Sequence, residues 1–190
     1  MESAPLIVGL GGSTGAVSVT GLLLQRCLEL VAGRGVRTQL FDADHLAGLP
    51  IYAEGVHAEA DEMVSAVRVA DGIVIATPGY HGGMSGLVKN ALDHLEALRD
   101  DRRPYLDGRA AGVIVSAAGW QATGTTLVAV RSAIHALRGW PTPFGVTINS
   151  AEERPDAAGR FDDRVDGALD ILAGQLVDFA NWQAAARARV

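Results

Sequence analysis

Five short apolar runs alternate with stretches of helical spacing, and this alternation constrains the chain more than any other feature. Leu6-Ile7-Val8-Gly9-Leu10, Val36 to Phe41, Gly72 to Ala76, Arg109 to Ser116 and Phe144 to Ile148 read as strands. Val17 to Val31, Glu59 to Val69, Ser85 to Leu98, Thr125 to Leu137 and Phe161 to Ala186 repeat apolar residues at intervals of three and four, as amphipathic helices do. Gly33 and Gly35 end the first helix, and a loop is expected through Leu49-Pro50. Strands this apolar belong in a parallel sheet covered on both faces. Five such units predict one doubly wound α/β domain over residues 1–190, with strand order 2-1-3-4-5 and helices on both faces.

Charge and cysteine content narrow the function. The formal net charge is −6, and basic residues form no stripe beyond Arg102-Arg103 and a sparse arginine tail. That balance argues against a nucleic-acid partner, because phosphate neutralisation dominates such binding. Cys27 is the single cysteine, so neither an intramolecular disulfide nor a cysteine-based zinc site is available, and a reducing compartment is expected. The start Met1-Glu2-Ser3-Ala4-Pro5 lacks the positive region of a secretory signal, and no apolar run approaches the ~20 residues of a membrane helix. The expectation is a soluble cytoplasmic protein. His45, His57, His94 and His135 show no ligand spacing and read as surface or packing residues.

In a doubly wound sheet, ligands sit outside the C-terminal strand ends. The loops after the first, third and fourth predicted strands are therefore the candidates. The first runs Gly9-Leu10-Gly11-Gly12-Ser13-Thr14-Gly15-Ala16-Val17-Ser18. Its glycines admit a ligand close to the backbone, Ser13, Thr14 and Ser18 offer hydroxyls, and the helix start offers unpaired N–H groups; together they suit a phosphate. A tight turn with a Ser N-cap would use the same residues. The G-x-G-x-x-G dinucleotide pattern fails, because counting from Gly9 its third glycine falls on Thr14, and the lysine of a P-loop is missing. A monophosphate fits better than a pyrophosphate.

The second candidate loop is the most specific segment of the chain: Thr77-Pro78-Gly79-Tyr80-His81-Gly82-Gly83-Met84-Ser85-Gly86. Pro78 and the glycines predict an irregular backbone with exposed polar groups, Tyr80 supplies an aromatic wall, His81 a polar contact, and Ser85 an N-cap. With the helix that follows, it resembles the signature of the NADPH-dependent FMN reductase family, which runs approximately T/S-P-x-Y-x-G-x-x-S-G-x-L-K-N-x-x-D. Thr77, Pro78, Tyr80, Gly82, Ser85, Gly86, Lys89, Asn90 and Asp93 match, and Val88 replaces the usual leucine.

That resemblance covers roughly residues 5 to 150 and implies a flavodoxin-like fold with FMN at the sheet rim. It implies that Thr77, Pro78, Gly79, Tyr80, His81 and Gly82 wrap the isoalloxazine and ribityl groups, and that Lys89, Asn90 and Asp93 serve structure and subunit contact. The family's phosphate loop, G-S-x-R-x-x-S, matches Gly12, Ser13 and Ser18, but Gly15 stands in place of its arginine. The phosphate site therefore comprises Gly12, Ser13, Thr14, Gly15 and Ser18, without the strong charge-assisted bond an arginine would give. The loop after the fourth strand, with Ala117, Ala118, Gly119 and Trp120, is expected to border the flavin ring. Trp120 either stacks near the ring, lines a dimer interface or packs as an ordinary surface residue.

The implied activity is hydride transfer from NADPH, or NADH, to FMN, with orientation and electrostatics supplied by the protein. No general acid or base is required, and a lone loop histidine such as His81 is more often a contact than a catalyst. Reduced flavin would pass to a flavin-dependent monooxygenase, or a bound FMN would reduce a small-molecule acceptor such as a quinone, azo dye or metal oxyanion. An electron-carrying flavodoxin without NAD(P)H oxidation is the alternative from another class. A Rossmann NAD-binding protein with Asp42 or Asp44 on the ribose is disfavoured by the failed glycine spacing. The family resemblance further implies a homodimer or homotetramer.

Overall fold

The structure is a computed structural model that describes residues 4–15, 18–55 and 60–187. The strands are β1 (Leu6–Gly11), β2 (Arg37–Phe41), β3 (Gly72–Tyr80), β4 (Gly83–Met84), β5 (Ala110–Ala117), β6 (Trp140–Pro141) and β7 (Val146–Asn149). The α-helices are α1 (Val19–Ala32), α2 (Ala43–Ala47), α3 (Asp61–Val69), α4 (Gly86–Asp93), α5 (Trp120–Ala136) and α6 (Asp163–Arg187). The sheet order is β2-β1-β3-β5-β6, with β7 also paired to β5 and β4 antiparallel to β3. β6 and β7 lie against the two ends of β5, at Ala110-Ala111 and at Ile114 to Ala117, so they are pieces of one interrupted edge position. The five-place parallel order 2-1-3-4-5 is thus realised in a flavodoxin-like arrangement, with seven strand segments instead of five. Pro141 ends β6 and Pro143 lies within the interruption, at an edge where a missing N–H is tolerated.

Alternation along the inner strands divides the core between the two faces. Val8, Leu10, Ile73, Ile75 and Val113 pack with Met63, Leu92 and Ile134 from α3, α4 and α5. Ile7, Val74 and Ile114 face Leu24, Leu28, Leu172 and Leu176 from α1 and α6. Cys27 is buried on this second face, and burial pushes its thiol up to about 12, so it is an inert packing residue. At the opposite end of the sheet from the loops of interest, the fully buried Arg109 donates to the carbonyl oxygens of Arg68, Ala70, Tyr105 and Asp107. Desolvation pulls that guanidinium down to about 10, and these carbonyls offset part of the cost of burying it.

Several element boundaries differ from the sequence reading. β3 does not stop at Ala76 but continues through Tyr80, with Thr77 and Pro78 still paired to Val115 and Ser116 of β5. A proline fits there because Ala76 points its carbonyl at β1, accepting from Gly12, so Pro78 faces the same side beyond the last paired residue of β1. The irregular backbone expected over Thr77 to Tyr80 is instead a strand that turns back into β4. The predicted helix over Ser85 to Leu98 is α4 followed by a tighter 3-10 turn over His94–Leu98. α2 lies where a loop was expected, opened by Asp42, whose carboxylate accepts from the His45 N–H. α5 begins at Trp120 rather than Thr125, and Gly124 lies inside it. Gly33 has ordinary helical angles, and the left-handed residue that turns the chain is Gly35, with φ 78°.

Candidate functional site

Three chain crossings meet at the C-terminal rim of the sheet, and hydrogen bonds join each to another. The first leaves β1. Gly11 and Gly12 have φ 138° and 123°, and the Gly12 N–H donates to Ala76 O at 3.2 Å. A Cβ on Gly11 would lie 1.8 Å from that same carbonyl oxygen, so the sequence must supply glycine for β1 to turn against β3.

Beyond the glycines, Ser18 caps α1. Its Oγ accepts the Gly21 N–H at 2.9 Å and the Ser13 N–H at 3.0 Å, and lies 2.9 Å from Ser13 Oγ. Two N–H groups fill both lone pairs of Ser18 Oγ. Its own hydrogen therefore goes to Ser13 Oγ, and the Ser13 hydrogen is left to donate elsewhere. Cap and cradle, competing readings of the sequence, are here one hydroxyl pair: Ser18 holds the loop while Ser13 presents a donor. Gly12, Ser13, Thr14, Gly15 and Ser18 border a cavity of about 400 Å³ that reaches the start of α2. The intervening residues 16 and 17 lie outside the described residues.

The second crossing is the β3–β4 hairpin. Tyr80 pairs with Gly83, and the two residues between them, His81 and Gly82, have φ 51° and 89°. Positive φ at both central positions is the type I′ signature of a two-residue hairpin, and it explains the glycine at 82. Thr77 is fully buried; its hydroxyl donates to Pro78 O and accepts the Ser85 N–H, both at 2.9 Å. It therefore shapes the hairpin from behind and does not line the cleft. Ser85 Oγ in turn caps α4 at Val88 N–H. Gly12, Ser13 and Thr14 face Pro78, Tyr80, Ser85, Gly86 and Leu87 across a second cavity of about 360 Å³ that adjoins the first. Tyr80 is 56% exposed, an aromatic wall with one open side.

The third crossing follows β5. Ala117 ends that strand, Ala118 and Gly119 make the turn, and Trp120 opens α5 at 49% exposure. These four residues lie one strand beyond the cleft and are not among those lining it. They are tied to it nonetheless. A Cβ on Gly79 would sit 3.2 Å from Ala117 Cβ and 2.8 Å from Thr126 Oγ1, so the hairpin lies flush on the start of α5. Thr126 Oγ1 also donates to Gly83 O. Thr20 Oγ1 and Ser116 Oγ, both buried, lie 2.5 Å apart and join α1 to the end of β5. Thr20, Thr126 and Leu87 carry no sequence signal for this site, and Asp42 and Asp44 enter the sequence reading only as ribose contacts of the disfavoured Rossmann alternative. Isolated hydroxyls within helices carry no local signal of what they meet.

The other motif residues have structural tasks. Lys89 pairs with Asp93 one turn along α4. Asn90 accepts from Tyr52 N–H and donates to Pro50 O, fixing the loop after α2. His94 is buried with Nε2 3.0 Å from Pro50 O, His45 sets its ring edge-on to Phe41, and His135 is exposed on α5. His57 lies outside the described residues. Among the described residues there is no group of three or more His, Cys, Asp or Glu placed to hold a metal ion, and no helix long and apolar enough to cross a membrane.

The trough suits FMN in its donor set: an outward serine hydroxyl and a helix start at one end, and an aromatic-edged, glycine-rich hairpin at the other. Comparison with known proteins agrees. The chain is 30% identical over 182 residues to an NAD(P)H-dependent FMN reductase of Pseudomonas aeruginosa, covering 93% of this chain and 94% of that one. It is 24% identical to an FMN-dependent NADPH-azoreductase of Staphylococcus aureus, covering 90% and 92%. Among solved structures, a flavoenzyme NAD(P)H:(acceptor) oxidoreductase of Paracoccus denitrificans superposes with TM-score 0.78 at 20% identity, covering 95% and 99%. A WrbA-like flavodoxin of Agrobacterium tumefaciens gives TM-score 0.65 at 16% identity, with the same coverage, and shares the fold. The family model for NADPH-dependent FMN reductase matches residues 5–153, and with the glycine-turned cradle, the hairpin and this match in hand, the chain belongs to the NADPH-dependent FMN reductase family of oxidoreductases.

Proposed function

We propose that this protein is an NAD(P)H-dependent FMN reductase whose flavin exchanges with solution and leaves reduced, for use by a flavin-dependent monooxygenase. One observation supports the exchange most directly: the phosphate end of the trough is built from Gly12, Ser13, Thr14, Gly15 and Ser18, with hydroxyl and N–H donors and no cation. FMN held there would supply hydride transfer from NADPH or NADH and the onward passage of reducing equivalents. In this reading Ser13 donates to the phosphate, while Pro78, Gly79, Tyr80, His81 and Gly82 hold the ring from one side. Ala117, Ala118, Gly119 and Trp120, one strand beyond the cleft, would lie toward its polar edge, where N–H groups at the start of α5 would favour negative charge. Thr77 holds the hairpin in place. His81 is assigned no proton transfer.

The protein is proposed to work in the cytoplasm as a homodimer or homotetramer. Tyr80, Trp120 and Val128 are large apolar side chains left exposed on the hairpin and α5, a surface suited to covering the open side of the trough. A tightly held FMN serving azo or other small acceptors is the second reading, favoured by the azoreductase relative. Absorbance spectra of purified protein before and after dialysis, followed by NADPH and NADH oxidation with and without added FMN, separate the two. Loss of flavin on dialysis and turnover that saturates with added FMN support the exchanging reductase. Flavin retained through dialysis, with full turnover and no dependence on added FMN, contradicts it. Absence of NAD(P)H oxidation under every condition favours an electron carrier.

A further inference from the structure

We propose that Asp42 and Asp44 set the flavin selectivity of this site, opposing the 5′-phosphate so that riboflavin and FMN bind with comparable affinity. The inference rests on the reading of the rim as a flavin site and concerns which flavins it takes. The two aspartates flank Ala43 at the start of α2 and border the same cavity as Ser13 and Thr14. Their placement is fixed by a backbone contact: a Cβ on Gly12 would lie 3.2 Å from Ala43 Cβ and 3.3 Å from Ala43 N, so the cradle touches α2 between them. No lysine or arginine is among the described residues bordering this cavity, and residues 9–18 contain none in sequence. Arg26, one turn beyond Leu22 on α1, is held by Asp166 through two guanidinium nitrogens.

A phosphomonoester carries about −1.5 to −2 charges at neutral pH. Ser13 and the start of α1 attract it, while the two carboxylates oppose it. Riboflavin ends in a neutral hydroxyl at that point and meets no such opposition. Across a solvent-exposed trough, at a separation comparable with the Debye length, each carboxylate weakens FMN binding about three-fold and leaves riboflavin unaffected. The usual salt dependence of an anion site is then reversed, because screening removes repulsion.

The test is titration of the flavin-free full-length protein with riboflavin and with FMN, followed by quenching of flavin fluorescence, at ~10 mM and ~300 mM salt. Wild type and Asp42→Asn/Asp44→Asn are compared; asparagine at 42 preserves the helix cap. The expected results are FMN and riboflavin dissociation constants within about five-fold of each other, FMN affinity constant or rising with salt, and an about ten-fold gain for FMN alone in the double variant. An FMN preference above about a hundred-fold that collapses with salt, or a double variant that leaves the FMN-to-riboflavin ratio unchanged, overturns the inference while leaving the flavin site standing. Failure of both flavins to bind overturns the flavin site itself. Circular dichroism of the double variant separates misfolding from altered selectivity.

Discussion

The buried hydroxyl of Thr77 receives the backbone N–H of Ser85 across the mouth of the β3–β4 hairpin, 2.9 Å away and eight residues on in sequence. A signature residue implied to touch the flavin, Thr77, is thereby bonded to the residue that caps α4. Replacing Thr77 by valine keeps the shape but leaves the Ser85 N–H buried without a partner. Thr77→Val is expected to lower stability by about 1–3 kcal/mol, read from the denaturant midpoint, with Thr77→Ser close to wild type. A Thr77→Val protein as stable as wild type would show that the bond contributes nothing, and a large loss in Thr77→Ser would show a separate contribution from the methyl group.

The hydroxyl pair of the cradle makes an asymmetric prediction. Ser13 donates outward, so Ser13→Ala should weaken FMN binding about three- to ten-fold with little change in thermal stability. Ser18 accepts from both Ser13 N–H and Gly21 N–H and caps α1. Ser18→Ala should therefore also cost about 1 kcal/mol of stability. Flavin titration and thermal melts on the two variants check this split.

Gly11 turns β1 against β3 with no room for a side chain, since the atom a Cβ would meet is a backbone oxygen. Gly11→Ala should destabilise by about 3 kcal/mol or more and abolish flavin binding together with it. Recovery of a folded, flavin-binding Gly11→Ala protein at wild-type stability would show that the turn adjusts.

The Arg26–Asp166 pair joins α1 to α6 at 2.7 Å. The Arg26 hydrogen bond holds the Asp166 carboxyl below its ordinary range, against a smaller opposing effect of burial. A carboxyl depressed in the folded state adds stability above its unfolded pKa, and that share is lost as pH falls through the folded value. Both side chains are more than a third exposed, so the contribution stays below about 1 kcal/mol. Asp166→Asn should be slightly less stable than wild type at neutral pH, with the difference closing below the normal carboxylate range in urea titrations. A difference that widened on acidification would reverse the sign.

The fold was legible because Leu6–Leu10, Gly72–Ala76 and Ala110–Ser116 are apolar runs too short for buried helices and too continuous for half-exposed strands. Much of the rim was legible too, through its glycines and hydroxyls. What escaped the sequence depends on contacts between distant segments. Pro78 and Gly79 are strand-breaking in isolation, and only the end of β1 beside them explains why β3 runs on to Tyr80. α2 is a single capped turn, too short to show a period. Trp120 to Gly124 reads as loop from its glycine and threonine, yet it forms the first turn of α5, where Thr126 meets Gly83. The pairing of Thr20 with Ser116 spans 96 residues and has no local signature.

The most direct test is a crystal structure of the full-length protein with FMN. The phosphate is expected within hydrogen-bond distance of Ser13 Oγ, and the ring between the Tyr80 hairpin and the start of α5. A flavin seated away from the β1 and β3 strand ends, or a rim that stays closed to FMN at saturating concentration, would contradict this placement.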